Sequence, residues 1–256
     1  MRVIDINCDL GESFGAYQIG ADDQVLNLIS SANIACGFHA GDPMVMQKTV
    51  HLALERGVGI GAHPGYPDLM GFGRREMKLS PGEVEAYVIY QIGALMGVAH
   101  SYGATLQHVK PHGMLYNMAV KDQQLAQAIA RAVARVDDNL ILVALASSEF
   151  AEAGRKVGLR VANEVFADRG YNPDGSLVAR GTQGAFIQDP SVAARRVVKM
   201  VQEGKVEAVD GTVISLEADT ICLHGDNPEV ATCVTSIKRA LEDEGIKIGP
   251  MNSFVK

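Results

Sequence analysis

Short apolar runs alternate with amphipathic stretches along nearly the whole chain, and this alternation predicts the elements. Short, largely apolar runs bounded by glycine, proline or polar residues predict strands at 3–8, 32–36, 58–62, 106–110, 140–144, 159–166 and 220–223. Apolar residues at helical spacing predict helices at 22–31, 43–56, 81–102, 122–136, 148–157, 190–202 and 228–244. Four of the helix starts are well signalled. Asp42-Pro43, Ser80-Pro81, Asp189-Pro190 and Asn227-Pro228 each pair an N-cap residue with proline at the first helical position. Ser80 also has Glu83 three residues on, the spacing of a capping box.

Regular strand–helix alternation implies a mostly parallel sheet covered by helices, joined by right-handed crossovers. About seven repeats without a Pro-, Ser- or charge-rich linker favour an α/β fold of one domain over residues 1–256, a distorted TIM-like (β/α) barrel. An open doubly wound sheet is the alternative. Residues 168–188 interrupt the alternation with Gly170, Pro173, Asp174-Gly175, Gly181 and Gly184, which reads as a binding loop or lid.

Composition narrows the class. The chain has 256 residues, 47% hydrophobic and 21% charged, enough for a large core. A net charge of −7 without a basic block argues against nucleic acid and anionic membranes as partners. No apolar run approaches a membrane span, and the N-terminus enters a strand directly, without a targeting pattern. Cys8, Cys36, Cys222 and Cys233 show no CxxC pairing, so a reduced, cytoplasmic protein is expected.

Chemistry gathers at the strand ends. His39, His63, His112 and His224 each follow an apolar run and stand beside glycine, proline or alanine. In a β/α barrel the loops after the strands build the active site. Those loops also carry Asn7, Asp9, Glu12, Asp42, Asp68, Arg74-Arg75, Lys110, Ser147-Ser148, Glu164, Asp168, Arg169, Arg180 and Asp226, and the opposite strand ends carry no comparable set. Plainer readings stand beside these. Asp42 and Asp226 suit helix capping, Arg169 and Arg180 suit loop salt bridges, and Cys8 and Cys36 suit small buried residues. His51, His100 and His108 read as structural, and Ser147-Ser148 as a helix start. Imidazoles and carboxylates converging from separate strands keep a divalent metal open, but no HExxH motif is present and no metal ligand is assigned. Gly57-Val58-Gly59-Ile60-Gly61-Ala62 fits a dinucleotide fingerprint, but its glycines precede and form a strand instead of opening a helix. A Walker loop is absent.

Asp5-Ile6-Asn7-Cys8-Asp9-Leu10-Gly11-Glu12 and residues 31–42 through Cys36-Gly37-Phe38-His39-Ala40-Gly41-Asp42 resemble the LamB/YcsF family. So do Gly61-Ala62-His63-Pro64, His108-Val109-Lys110-Pro111-His112-Gly113-Met114-Leu115-Tyr116-Asn117, residues 164–171 and Leu223-His224-Gly225-Asp226. The resemblance spans essentially the whole chain. It implies a distorted barrel similar to glycoside hydrolase/deacetylase barrels. It also implies the A subunit of an ATP-dependent 5-oxoprolinase, which turns 5-oxo-L-proline, ATP and water into L-glutamate, ADP and phosphate together with the B and C subunits. Without a Walker loop, ATP is expected at another kind of site or on a partner chain.

That chemistry needs a base for water, an acid for the leaving nitrogen and cations for carboxylate or phosphate. Asp9, His39, Lys110, His112, Glu164, Asp168 and His224 are the expected catalytic set, with Asp9, His39, Lys110 and His112 at its centre. Asn7, Glu12, His63, Arg169, Arg180 and Asp226 are expected to bind substrate. The alternatives are a stand-alone metal-dependent hydrolase or deacetylase of carbohydrate or amide substrates and a non-catalytic substrate-binding subunit.

Overall fold

In the computed structural model, which describes residues 2–20, 22–224 and 230–256, every barrel strand is buried on both faces. The elements run β1 Val3–Leu10, α1 Asp22–Val25, β2 Ser31–Ala35, α2 Pro43–Glu55, β3 Gly59–His63, α3 Pro81–Ser101, β4 His108–Val109, α4 Gly113–Ala119 and α5 Gln123–Val136. They continue β5 Ile141–Leu145, α6 Glu149–Lys156, β6 Arg160–Phe166, α7 Pro190–Glu203, β7 Lys205–Glu207, β8 Val213–Ser215, β9 Thr220–His224, α8 Val230–Asp243 and β10 Lys247–Ile248.

Seven parallel strands close a barrel in the order β1-β2-β3-β4-β5-β6-β9, with β9 pairing back to β1 from Asp5–Thr220 to Asp9–His224. β10 pairs parallel with Val3 and Ile4 of β1, just below the stretch that β9 occupies. Residues of alternate strand positions divide between two cores. Ile4, Ile6, Cys8 and Leu10 of β1 join the large apolar layer under the helices. Inside the barrel, Ile141, Val143 and Ala162 pack with Met251 and Val255 of the C-terminal segment. Together they fill one end of the barrel, and the rest of the interior is polar.

That polar interior explains the glycines of β3. A Cβ on Gly61 would lie 2.0 Å from Nε2 of His108, and one on Gly59 would lie 2.2 Å from Nε2 of Gln107. Glycine here makes room for a buried imidazole and a buried amide; it does not cradle a dinucleotide.

The helix starts follow their signals. Asp42 accepts from the amides of Met44 and Val45, Asp189 from that of Ser191, and Ser80 with Glu83 closes a capping box. Asn227-Pro228 lies outside the described residues. Four segments depart from the pattern. The helix expected over 22–31 stops at Val25, because Ser30 and Ser31 both donate to the buried Asp5 carboxylate and draw the chain into β2. β4 is only two residues long, since Pro111 has no amide hydrogen to continue the ladder. The short helix α4 and the antiparallel β7–β8 pair were not expected; α7 ends at Gly204, whose φ of 65° lets the chain turn into β7.

Gly61→Ala is expected to destabilise the protein by about 2–4 kcal/mol, because the methyl group meets a ring that has nowhere to go. Gly97→Ala, in the exposed interior of α3 with open space at its Cβ, is expected to stabilise it by about 0.5–1 kcal/mol. Urea unfolding of the two variants measures both, and equal effects would contradict the packing argument.

Candidate active site

The site rests on a hydrogen-bonded lattice that fills the barrel. Asp5 accepts from the hydroxyls of Ser30, Ser31 and Thr220. Thr220 accepts from Asn7 Nδ2 (2.6 Å), whose Oδ1 accepts from Asn33 Nδ2 (2.8 Å). Asn33 Nδ2 also donates to Asp9 Oδ1 (2.9 Å) and its Oδ1 accepts from His108 Nε2 (2.7 Å). Burial pushes His108 down to about 3, so the ring is neutral, and Nε2–H towards Asn33 leaves Nδ1 to accept from Gln107. The two N–H groups of Asn7, Asn33 and Gln107 each have an acceptor of their own, so the polarity of the lattice is fixed.

Lys110 sits on top of the lattice. Its ammonium lies 2.9 Å from Asp9 Oδ1, 3.1 Å from Glu164 Oε1, 3.3 Å from Asn7 Oδ1 and 2.9 Å from Cys222 Sγ. Burial alone would drive it towards neutrality, but the Asp9 and Glu164 carboxylates, with Cys222 Sγ accepting a hydrogen bond, overcome this and hold it well above the usual lysine range. Burial keeps Cys222 a thiol.

Beside Lys110 stand three imidazoles and a carboxylate. His63 Nδ1 faces the Lys110 carbonyl at 2.6 Å, and His112 Nε2 faces the Phe72 carbonyl at 2.8 Å. Both contacts require N–H, so in the neutral rings His63 Nε2 and His112 Nδ1 present lone pairs to each other, 3.0 Å apart. Glu12 Oε1 lies 3.3 Å from His112 Nδ1, 3.2 Å from His39 Nε2 and 4.0 Å from His63 Nε2, and Asp9 Oδ2 lies 3.4 Å from His63 Nε2. His39 stacks on His112 with ring centroids 3.8 Å apart. Burial, reinforced by the neighbouring imidazoles, holds His39 and His112 well below the usual histidine range, which disfavours a shared proton. A cation fits instead. Ligand atoms of Glu12, His39, His63 and His112 all lie within 4.8 Å of one another, and backbone carbonyls orient two of the rings as outer partners do in metal sites. Phe72 reaches its carbonyl to His112 from a left-handed backbone, φ 54°.

Asp9, His63, Lys110 and His112 floor a cavity of about 610 Å³. Tyr116, Leu145 and Phe166 wall it, residues 176–180 face it from the long loop, and Arg74, Lys121, Arg169 and Arg180 line it with positive charge. The structure thus brings together Asn7, Asp9, Glu12, His39, His63, Lys110, His112 and Glu164 from β1, β3, β6 and the loops after β1, β2 and β4. Arg169 lines the cavity while donating to the carbonyls of Ala185 and Val178, so it also braces the loop, and both it and Arg180 stack on Phe186. Asp168 is buried at the start of that loop and is not among the residues that line the cavity. His224 ends β9 in register with Asp9, but its side chain, like all of Asp226, lies outside the described residues. Asp42 caps α2.

The sequence profile of the LamB/YcsF family matches residues 4–256. The chain belongs to the LamB/YcsF family. Its relatives include a Pyrococcus abyssi protein named as the A subunit of 5-oxoprolinase, 56% identical over 255 residues and 100% of both chains. A Bacillus subtilis protein of the same name is 56% identical, covering 97% of this chain and 96% of its own. The solved lactam utilization protein from Thermus thermophilus superposes with a TM-score of 0.92 at 48% identity, over 97% of this chain and 99% of its own. A family 4 carbohydrate esterase from Streptomyces lividans, at 12% identity and a TM-score of 0.51 over 97% and 92%, shares the fold.

Within this LamB/YcsF barrel, sequence reasoning missed Asn33, Tyr116, Thr220 and Cys222 as parts of the site, and named Arg74 at a strand end without giving it a role. Asn33 and Cys222 did carry a signal, a polar residue or thiol at an inward position of a strand. The imidazole–carboxylate donor set predicts that the purified chain binds one Zn²⁺. His63→Ala is expected to weaken that binding about 100-fold or more in a calorimetric titration. Unchanged affinity would rule out this cluster as the ligand set.

Proposed function

We propose that this chain is the A subunit of a 5-oxoprolinase, a hydrolase that opens the lactam ring of 5-oxo-L-proline, and that ring opening takes place over the Lys110 floor. The observation that carries the reading is the match, over essentially their full length, to relatives that bear that name. The ATP dependence, the partnership with the B and C subunits, and a cytoplasmic setting belong to the same proposal. The word subunit in those names supports the partnership, and the absence of a Walker loop from the sequence favours ATP at another kind of site or on a partner chain.

Amide resonance makes direct attack of water on the lactam slow. Transfer of the γ-phosphoryl group of ATP to the lactam oxygen releases ADP and makes the ring carbon electrophilic. Water then adds to that carbon, the carbon–nitrogen bond breaks, and the nitrogen takes a proton. A second water releases phosphate from the resulting acyl phosphate and leaves L-glutamate. Lys110, held charged, stabilises negative charge on the lactam or phosphoryl oxygens. Asp9, 3.4 Å from His63 Nε2, is placed to take a proton from water directly or through that imidazole. The cations along the cavity suit the substrate carboxylate, where arginine binds two oxygens at once. A divalent cation held by Glu12, His63 and His112 with His39 alongside would polarise a water or carbonyl oxygen when bound.

In the three-subunit enzyme, Asp9→Asn and His112→Ala are expected to lower 5-oxoproline-dependent phosphate release at least about 100-fold. Near-UV circular dichroism checks their folding. Wild-type turnover by correctly folded variants would sink the assignment and favour a binding or scaffold role.

A further inference from the structure

Asp9, Asn33, Gly61 and His108 stand in one row across four neighbouring strands, β1 to β4, each in register with the next. Residues in such a row share one face of the sheet. Gly61 contributes no side chain to it. A Cβ there would lie 2.0 Å from His108 Nε2, so the imidazole of β4 crosses β3 through the gap and reaches Asn33 on β2. One row below, Gln107 crosses over Gly59 in the same way and reaches Ser31.

These contacts run in one direction. The backbone N–H of Asn252 can only donate, and it faces Gln107 Oε1 at 3.4 Å. Gln107 therefore turns Nε2 the other way, where it donates to Ser31 Oγ (2.8 Å) and to His108 Nδ1 (3.1 Å). A neutral imidazole that accepts at Nδ1 donates at Nε2, so Asn33 turns its Oδ1 to His108 (2.7 Å). Both hydrogens of Asn33 Nδ2 then go to Asn7 Oδ1 (2.8 Å) and Asp9 Oδ1 (2.9 Å). A His108 ring carrying its proton on Nδ1 would reverse the Asn33 amide and set its oxygen against the Asp9 carboxylate.

The last link touches the chemistry. Asp9 Oδ1 accepts from Asn33 and from Lys110 Nζ (2.9 Å), while Oδ2 lies 3.4 Å from His63 Nε2. One oxygen anchors the carboxylate, and the other is turned to the imidazole that faces the cavity with it. His108 is 0% exposed and is not among the residues lining that cavity, so it reaches the chemistry only through Asn33.

We propose that His108 is a positioning residue for lactam opening: through Asn33 it sets the orientation in which Asp9 acts as the base. The assignment rests on the lactam-hydrolase reading, with Asp9 as base, and adds to it a residue that never touches substrate. A fixed partner that orients a functional group is worth about 10–100-fold in activity.

Two substitutions of similar length separate orientation from packing. His108→Gln keeps a donor for Asn33 and an acceptor for Gln107, whereas His108→Met fills the same space with neither. L-glutamate formation is measured in the three-subunit enzyme over a range of 5-oxoproline concentrations, per folded enzyme. His108→Met is expected to lower kcat about 10–100-fold with KM within about threefold, and His108→Gln to keep kcat within about threefold of wild type. A histidine that only fills space is replaced equally well by either residue. Equal kcat for the two variants, or a loss confined to KM, overturns the assignment. Should neither variant fold, heteronuclear NMR of the full wild-type chain labelled at its histidine nitrogens still decides. His108 must carry its proton on Nε2; a proton on Nδ1 contradicts the proposal. A wild-type complex that does not hydrolyse 5-oxoproline removes the lactam reading itself. Hydrolysis by the wild type, with the two variants alike, removes only the role of His108.

Discussion

One buried ammonium organises this barrel. Lys110 is 3% exposed, and in that setting a lone charge would lose its proton or unfold its surroundings. It keeps the proton because Asp9 and Glu164 reach it from β1 and β6, while Asn7 and Cys222 complete its shell from β1 and β9. The trio carries a net charge of −1, which the amides of Asn7 and Asn33 help to distribute. Breaking a buried pair of this kind by removing one partner costs about 3–5 kcal/mol. The same contacts therefore close the barrel and set its chemistry, and the polar lattice below exists to hold Asp9 and Glu164 in place.

The fold was largely legible because two periodicities rarely conflicted. All seven barrel strands and all seven expected helices occupy the predicted stretches, one of the helices cut to a single turn. What escaped was short or held from afar. α4 has seven residues and β10 has two, too few to show a period. The helix expected beyond Val25 is prevented by Asp5, which is remote in sequence and pulls on two serines. Local patterns cannot carry such a contact.

The site was legible as a set of residues at strand ends, though not as a geometry. His39, His63 and His112 do meet, because the end of β3 and the loops after β2 and β4 converge on one rim. That Glu12 joins them, so that a carboxylate and three imidazole nitrogens face one point, depends on the path of the loop after β1 and on two carbonyls that set the ring tautomers. His108 looked structural and is so in a particular sense: neutral, buried, and tied through Asn33 to Asp9. Tyr116 passed unnoticed because a tyrosine in an apolar stretch reads as core, and only its place on the cavity wall distinguishes it.

The claim that the Lys110 clamp does chemistry, and is not merely structural, is tested most directly by the double variant Lys110→Met/Glu164→Gln. It removes the ammonium and one carboxylate together, so the buried net charge stays at −1 and no uncompensated charge is added. The rate of L-glutamate formation is measured in the three-subunit enzyme carrying it. The account predicts a folded, assembled enzyme whose glutamate production falls at least about 1,000-fold. Glutamate production at the wild-type rate would contradict it.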